Sequence, residues 1–173
     1  SLRRHPVTLI TAPPVSGKAT LVRQLRDQLT GDLPVQIVEN FDRLPAEGQQ
    51  DMAREIEAGL AHGQRWLLTS DRSIDALFAV PRLRGDINMF DMQDLALDES
   101  ETAPFLGSGL AERVTVRLRR ALIERTGGWI GAWMVLRALL RQGHAASELA
   151  RSFSGRDRDL IAYFEQQVMP RLG

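Results

Sequence analysis

The residues that most constrain the fold form a short loop at positions 12–20, with the sequence Ala-Pro-Pro-Val-Ser-Gly-Lys-Ala-Thr. Gly17 and Lys18 stand where the phosphate-binding pattern G-x-x-x-x-G-K-[S/T] requires them. In that pattern backbone N–H groups surround phosphate oxygens, the lysine neutralises charge, and the next hydroxyl binds Mg²⁺. Ala19 occupies the hydroxyl position. The sequence therefore predicts the shape of a phosphate loop that lacks one of its working groups.

A predicted strand and a predicted helix flank this loop. Residues 7–11 form a short apolar run that ends in prolines, which is typical of a buried strand. After the loop, Gly31 favours the end of a helix whose apolar face is Leu21, Val22, Leu25 and Leu29. Strand, loop and helix in this order are the context that a phosphate loop needs. The alternative is an ordinary strand-to-helix turn that contains a Gly-Lys pair by chance.

The rest of the chain predicts more strands and then only helices. Apolar runs predict strands at 35–38, 65–69 and 87–90, with a helix between the first two. From about Asp98 onward the spacing is helical, with a helix from about Leu110 to Arg125 and stripes at 129–140 and 160–168. We predict the α/β class: a P-loop NTPase-like parallel sheet of about four strands in a domain at 1–95, followed by an α-helical subdomain at 96–173.

The loop supplies the predicted nucleotide-binding residues. Val15 stands where such loops often place glycine, which allows a positive φ, and two prolines remove N–H donors. Thr20 is one residue too late for the metal and is expected on the α-phosphate side. The predicted binding residues are Pro14, Val15, Ser16, Gly17, Lys18, Ala19 and Thr20.

Polar residues at the ends of the next two strands are the other site candidates. Glu39 and Asn40 follow the second strand, where phosphoryl-transfer sites place catalytic acidic residues. Glu39 is the candidate ligand for Mg²⁺, but Asn40 cannot act as a general base; the alternative is a solvated strand end. Arg72 follows the third strand and is either a sensor of the γ-phosphate or the partner of Asp71 or Asp75.

The composition disfavours several classes of protein. Lys plus Arg and Asp plus Glu both total 22, so no overall field favours nucleic acid or an anionic membrane. Cysteine is absent, which excludes disulfides and thiolate zinc sites. The apolar window at 129–140 is too short to cross a bilayer and contains Arg137. For the arginine-rich helix at 110–125, a solvated face is favoured over a nucleic-acid surface.

In this order of segments, the chain resembles the nucleotide-binding domain of the large MalT-type LuxR-family transcriptional regulators, which are STAND P-loop ATPases. The family's loop T-A-P-A-G-Y-G-K-T-T matches the frame of residues 11–20. Its second motif, an apolar run ending D-D-[FY]-H, aligns with residues 37–42. Residues 125–130 are similar to its T-E-G-W segment, and residues 153–158 to the stretch before its winged-helix module.

Departures from the family pattern cluster in the hydrolytic apparatus. Ala19 replaces a threonine, Glu39-Asn40 replaces a pair of acidic residues, and Asp71 stands at the position of the family's strand-tip arginine, with Arg72 one residue late. Residues 31–34 also replace a long insertion, so one edge of the sheet is expected to be reduced. Three changes in one apparatus imply weak or absent turnover.

The resemblance implies a cytoplasmic regulatory module of a transcriptional regulator that binds ATP or ADP, with Mg²⁺ binding weakened. Its expected partners are other domains of the same regulator, and self-association with a second copy is a further expectation. DNA is expected to bind only through a C-terminal domain outside this chain, and no membrane contact is expected. Two alternatives remain open. One is a slow STAND-type ATPase, and the other is a scaffold that binds no nucleotide and acts in protein–protein signalling.

Overall fold

The computed structural model describes residues 5–28 and 34–152, and the chain divides between Leu95 and Ala96 into two compact units. The predicted helix through 160–168 and the motif at 153–158 lie outside the described residues. The strands of the first unit are β1 (Val7–Thr11), β2 (Val35–Val38), β3 (Arg65–Ser70) and β4 (Ile87–Phe90). Its helices are α1 (Lys18–Gln28), α2 (Ala46–Ala61) and α3 (Ala79–Leu83).

The four strands form one parallel sheet in the order β2-β3-β1-β4. The prediction of an α/β fold with a parallel sheet of about four strands is therefore confirmed. Among the described strands, β2 pairs only with β3 and forms one edge of the sheet. Thr11 of β1 is in register with Ser70 of β3, so the residues that follow these two strands emerge side by side.

Alternating side chains of the strands enter two cores on opposite faces of the sheet. Val7 and Leu9 of β1 pack into one core, whereas Ile10 packs into the other, as the two-residue period of a strand requires. On the first face, Phe41 and Phe78 meet edge to face with ring centroids 5.7 Å apart. Burial of each large apolar side chain stabilises the fold by about 1.5–3 kcal/mol. Helix α1 covers the second face and so fixes the direction in which the 12–20 loop leaves β1.

The described part of the second unit contains helices and no strand. These helices are α4 (Glu99–Leu106), α5 (Val116–Thr126), α6 (Ile130–Arg141) and α7 (Ala146–Ser152). Asp98 begins α4 with a capping box, in which its side chain accepts from the N–H of Glu101 and the Glu101 side chain accepts from the Asp98 N–H. The predicted wholly helical character of this part of the chain agrees with these elements.

The predicted helix from Leu110 to Arg125 is wrong at its start. A short 3₁₀ turn covers Ala111–Arg113, and Val114 is extended and fully buried. The α-helix begins only at Val116, because the Thr115 side chain caps it by accepting from the Leu118 N–H at 3.3 Å. Val114 and Leu122, which share the apolar spacing Leu110, Val114, Leu118 and Leu122 of this segment, are both buried, but Val114 is buried from an extended segment rather than from a helix.

Gly131 and Gly48 provide a test of packing in two different helices. A Cβ added at Gly131 would lie 2.4 Å from the indole of Trp129, which is 5% exposed, whereas the nearest atom to a Cβ at Gly48 is 3.6 Å away. Gly131→Ala should therefore lower the free energy of unfolding by about 1–3 kcal/mol. The matched Gly48→Ala variant should leave it unchanged or raise it by up to about 1 kcal/mol. Urea unfolding followed by circular dichroism measures both values, and equal stability of the two variants would contradict the packing described here.

Candidate functional site

The 12–20 loop runs from the end of β1 into the first turn of α1 and holds two residues in the left-handed region of the backbone. Val15 has a φ of 58° and Gly17 a φ of 90°. Glycine adopts such angles without penalty, but a left-handed conformation costs a residue with a Cβ roughly 1–2 kcal/mol. The loop thus keeps a specific backbone shape at a position where valine does not favour it. Strain of this kind is found where a backbone conformation serves a site.

The N-terminus of α1 follows directly from this loop. Helix α1 starts at Lys18, and its first helical hydrogen bond runs from the Leu21 N–H to Gly17 O at 2.9 Å, so the N–H groups of residues 18–20 have no partner within the helix. The first N–H groups of any helix lack partners inside the helix. Successive free N–H groups at a helix N-terminus are attractive to anions, above all to phosphate.

Lys18 is the single lysine of the chain, since the other 21 basic residues that make up the 22 are arginines. Its side chain is buried, and Nζ donates to Ala12 O, to Pro13 O at 2.9 Å and weakly to Ser16 Oγ at 3.4 Å. Nζ also lies 2.8 Å from Asp71 Oδ1. A compact ammonium on a flexible stem suits this position inside the loop better than a planar guanidinium would.

Asp71 follows β3 directly and stands between two cations. Besides Lys18, its Oδ2 lies 3.4 Å from the Arg43 guanidinium, which is 70% exposed. The Asp71 side chain itself is only 15% exposed, so its pairing with Lys18 is screened little by water. The Asp71 carboxylate is therefore paired with the ammonium that, in a phosphate loop, contacts the ligand.

Arg72 is placed apart from this cluster. Its side chain is exposed, and in the described residues no ion pair joins it to Asp71 or Asp75, the partners that the sequence suggests. Its backbone N–H donates to Ser70 Oγ at 3.3 Å. The cation that reaches Asp71 from a neighbouring strand end is Arg43, which sequence reasoning missed.

Asp42 links the ends of β2 and β3. Its Oδ1 accepts from the Asp71 N–H at 2.9 Å and from the Ser70 hydroxyl at 3.1 Å. Burial raises the pKa of Asp42, but these two hydrogen bonds, one to its own backbone and the charge of Arg43 together outweigh it, so the pKa lies below its ordinary value. Asp42 is a positioning residue, because it fixes the backbone from which the Asp71 carboxylate reaches Lys18.

Glu39 and Asn40, which follow β2, differ in conformation and in their contacts. Asn40 has a φ of 56°, its N–H donates to Thr69 Oγ1 at 3.0 Å, and its carbonyl accepts from the Arg43 N–H at 2.9 Å. It is therefore a turn residue that begins a 3₁₀ segment. Glu39 is 40% exposed, and its carboxylate lies 3.6 Å from Arg26. An exposed pair of this kind contributes little and leaves the carboxylate accessible.

The residues present fit a phosphate better than a metal ion. Ala19 and Thr20 are exposed on the first turn of α1, and a methyl group gives Mg²⁺ no oxygen ligand. In the described residues no group of three His, Asp or Glu side chains is placed to hold a metal ion. Glu39 alone remains as a metal candidate among the described residues, whereas the N–H groups of the first turn of α1 and the ammonium of Lys18 are donors that suit phosphate oxygens.

Asp42, Arg43 and Asp71 are the residues that sequence reasoning missed as a cluster. Asp42 and Arg43 follow β2, and Asp71 follows β3. A usable signal was present, because parallel strands bring their carboxyl ends to one edge of the sheet. Their pairing could not be predicted from the sequence, since it depends on the 3₁₀ turn at Phe41–Arg43 that turns Asp42 towards β3.

The arginines of the second unit serve its own packing. In the region 111–125, three of them donate to main-chain carbonyls and a fourth forms an ion pair. Arg113 donates to Leu140 O, Arg119 to Val114 O, Arg125 to Ala150 O, and Arg120 pairs with Glu99. These side chains connect the helices of the unit, so most of the positive charge seen in the sequence has a structural role.

The chain matches no model of a known protein family and no curated protein. Its similarity to MalT-type regulators therefore stays a prediction from the motifs. Of the helices that the structure describes, none has the length and apolar character needed to cross a membrane.

The hydrogen bonds to Asp42 predict a specific dependence of stability on pH. Because its pKa is lowered in the folded chain, the carboxylate stabilises the fold above its pKa in the unfolded chain, and this contribution is lost as the pH falls through the folded value. At neutral pH, Asp42→Asn should lower the free energy of unfolding by about 1 kcal/mol. The difference between the two proteins should start to shrink below about pH 4, the ordinary pKa of an aspartate, and should vanish only below the lower pKa of the folded chain. Urea titrations at several pH values in high salt measure it, and a difference that persists at low pH would show that Asp42 acts by packing alone.

Proposed function

We propose that this chain is a regulatory module that binds the phosphates of ATP or ADP and hydrolyses nucleotide weakly or not at all. The observation that carries the proposal is the N-terminus of α1 directly after a loop with two left-handed residues, beside the ammonium of Lys18. A backbone kept in this form with Val15 at a positive φ favours a retained binding role over an unused turn.

Hydrolysis is disfavoured by the chemistry of the surrounding side chains. Ala19 gives Mg²⁺ no ligand, Asn40 is held in a turn and carries no base, and Asp71 stands where the similar family has an arginine. Phosphoryl transfer depends on neutralising the charge on the transferred group and on positioning the attacking water. No described group at this edge of the sheet is placed to do both.

The wider role follows from the resemblance. As in MalT-type LuxR-family regulators, we expect a cytoplasmic protein in which this module acts on other domains of the same regulator. DNA binding is assigned to a C-terminal domain outside this chain, because the arginines of 111–125 are largely engaged in packing. Nucleotide state is then the variable that this module reports.

Calorimetric titration with ADP tests the proposal. The unaltered chain should bind ADP, and omission of Mg²⁺ should change the affinity by less than about threefold, because residue 19 provides no ligand to the ion. Lys18→Met, which keeps the aliphatic stem, should weaken binding by at least about tenfold. Arg82→Gln is the matched control, since it removes one positive charge from an exposed residue of α3 that precedes β4 and so lies towards the opposite edge of the sheet.

The rival functions give different results in the same titration. Absence of binding with both ADP and ATP would contradict the proposal and favour the scaffold without nucleotide. Release of phosphate from ATP that Glu39→Gln abolishes would instead favour the slow ATPase.

A further inference from the structure

The ammonium of Lys18 has all its hydrogen-bonding capacity in use. An ammonium donates three hydrogen bonds. Three close acceptors surround Nζ: Ala12 O, Pro13 O and Asp71 Oδ1. A phosphate that reaches Lys18 therefore has to share the ammonium with Asp71 or displace it. The two carbonyls belong to the loop itself. Asp71 is therefore the one acceptor among these three that comes from outside the loop and competes with the ligand.

Asp71 is held in this position by more than the ion pair. Its N–H donates to Asp42 at 2.9 Å, and its second carboxylate oxygen lies 3.4 Å from Arg43. The pair of Lys18 and Asp71 side chains is 8% and 15% exposed, so the negative charge acts in a region of low dielectric constant. The carboxylate is thus a fixed part of the site rather than a solvated side chain that swings in occasionally.

The cluster is close to neutral before any ligand binds. The cations are Lys18 and Arg43, and the anions are Asp71 and the Asp42 carboxylate that contacts its N–H. In phosphate loops the lysine contacts the β- and γ-phosphates. The γ-phosphate of a triphosphate adds negative charge next to Asp71, and without a magnesium ligand at Ala19 this charge is poorly compensated. A diphosphate places less charge there.

We propose that Asp71 is a specificity-determining residue that makes this loop select a nucleoside diphosphate over a nucleoside triphosphate. This inference rests on the proposed nucleotide binding and assigns the class of nucleotide that the site prefers. The mechanism is repulsion between a fixed carboxylate and the terminal phosphate, together with partial neutralisation of Lys18. Like charges placed against each other at a binding site are an effective means of rejecting a wrong ligand.

Calorimetry with ADP and ATP in the absence of Mg²⁺ tests the selectivity. The unaltered chain should bind ADP at least about tenfold more tightly than ATP. Asp71→Asn should strengthen ATP binding by at least about tenfold and ADP binding much less, so that the preference is lost. Asp71→Ser provides a second variant that removes the charge with a smaller side chain. Asp86→Asn removes the same charge from the segment before β4, at the other edge of the sheet, and should keep the preference for ADP.

The outcomes separate the two proposals. If ADP binds and the ratio of ADP to ATP affinity is the same in the unaltered chain and in both Asp71 variants, Asp71 does not set specificity, while nucleotide binding stands. If neither nucleotide binds to any of the proteins, nucleotide binding itself fails. Loss of the preference in the Asp71 variants but not in Asp86→Asn supports the inference.

Discussion

The contact between the Lys18 ammonium and the Asp71 carboxylate joins the loop after β1 to the end of β3. It exists because Thr11 and Ser70 are in register, so that the residues after the two strands emerge beside each other. Asp42 then fixes the backbone of Asp71 from the end of β2. Removal of one member of a buried ion pair is costly because it leaves the other charge uncompensated. One interaction across the sheet therefore connects the loop to the end of β3 and offsets the charge of Lys18.

Binding and hydrolysis of a nucleotide make different demands on such a loop, and the proposed function assigns only binding to it. Binding needs N–H groups that lack partners within a helix and a cation, which the first turn of α1 and Lys18 provide. Hydrolysis needs a metal ion and an oriented water, and both Ala19 and Asn40 lack the groups for these tasks. Val15 in the left-handed region indicates that the backbone shape has been kept although its side chain does not favour it. On the proposed function, the site combines an anion-binding loop with a reduced catalytic apparatus.

Most of the fold could be predicted from the sequence because its signals are local. The strands at 35–38 and 87–90 agree with the described bounds since each is an apolar run between turn residues. The helix start at Val116 could not be predicted, because Val114 continues the apolar spacing although it is extended. In the site, the loop was evident from Gly17 and Lys18. The role of Asp71 was not, because a contact between strand ends depends on register and on the turn that positions Asp42.

A double-mutant cycle between Lys18 and Asp71 tests most directly whether this pair governs the site. The free energy of unfolding is measured for the unaltered chain, Lys18→Met, Asp71→Asn and the double variant. Since the two side chains are 8% and 15% exposed, we expect a favourable coupling free energy of about 1–3 kcal/mol. A coupling below about 0.3 kcal/mol, which is typical of independent residues, would contradict the central role of the ion pair.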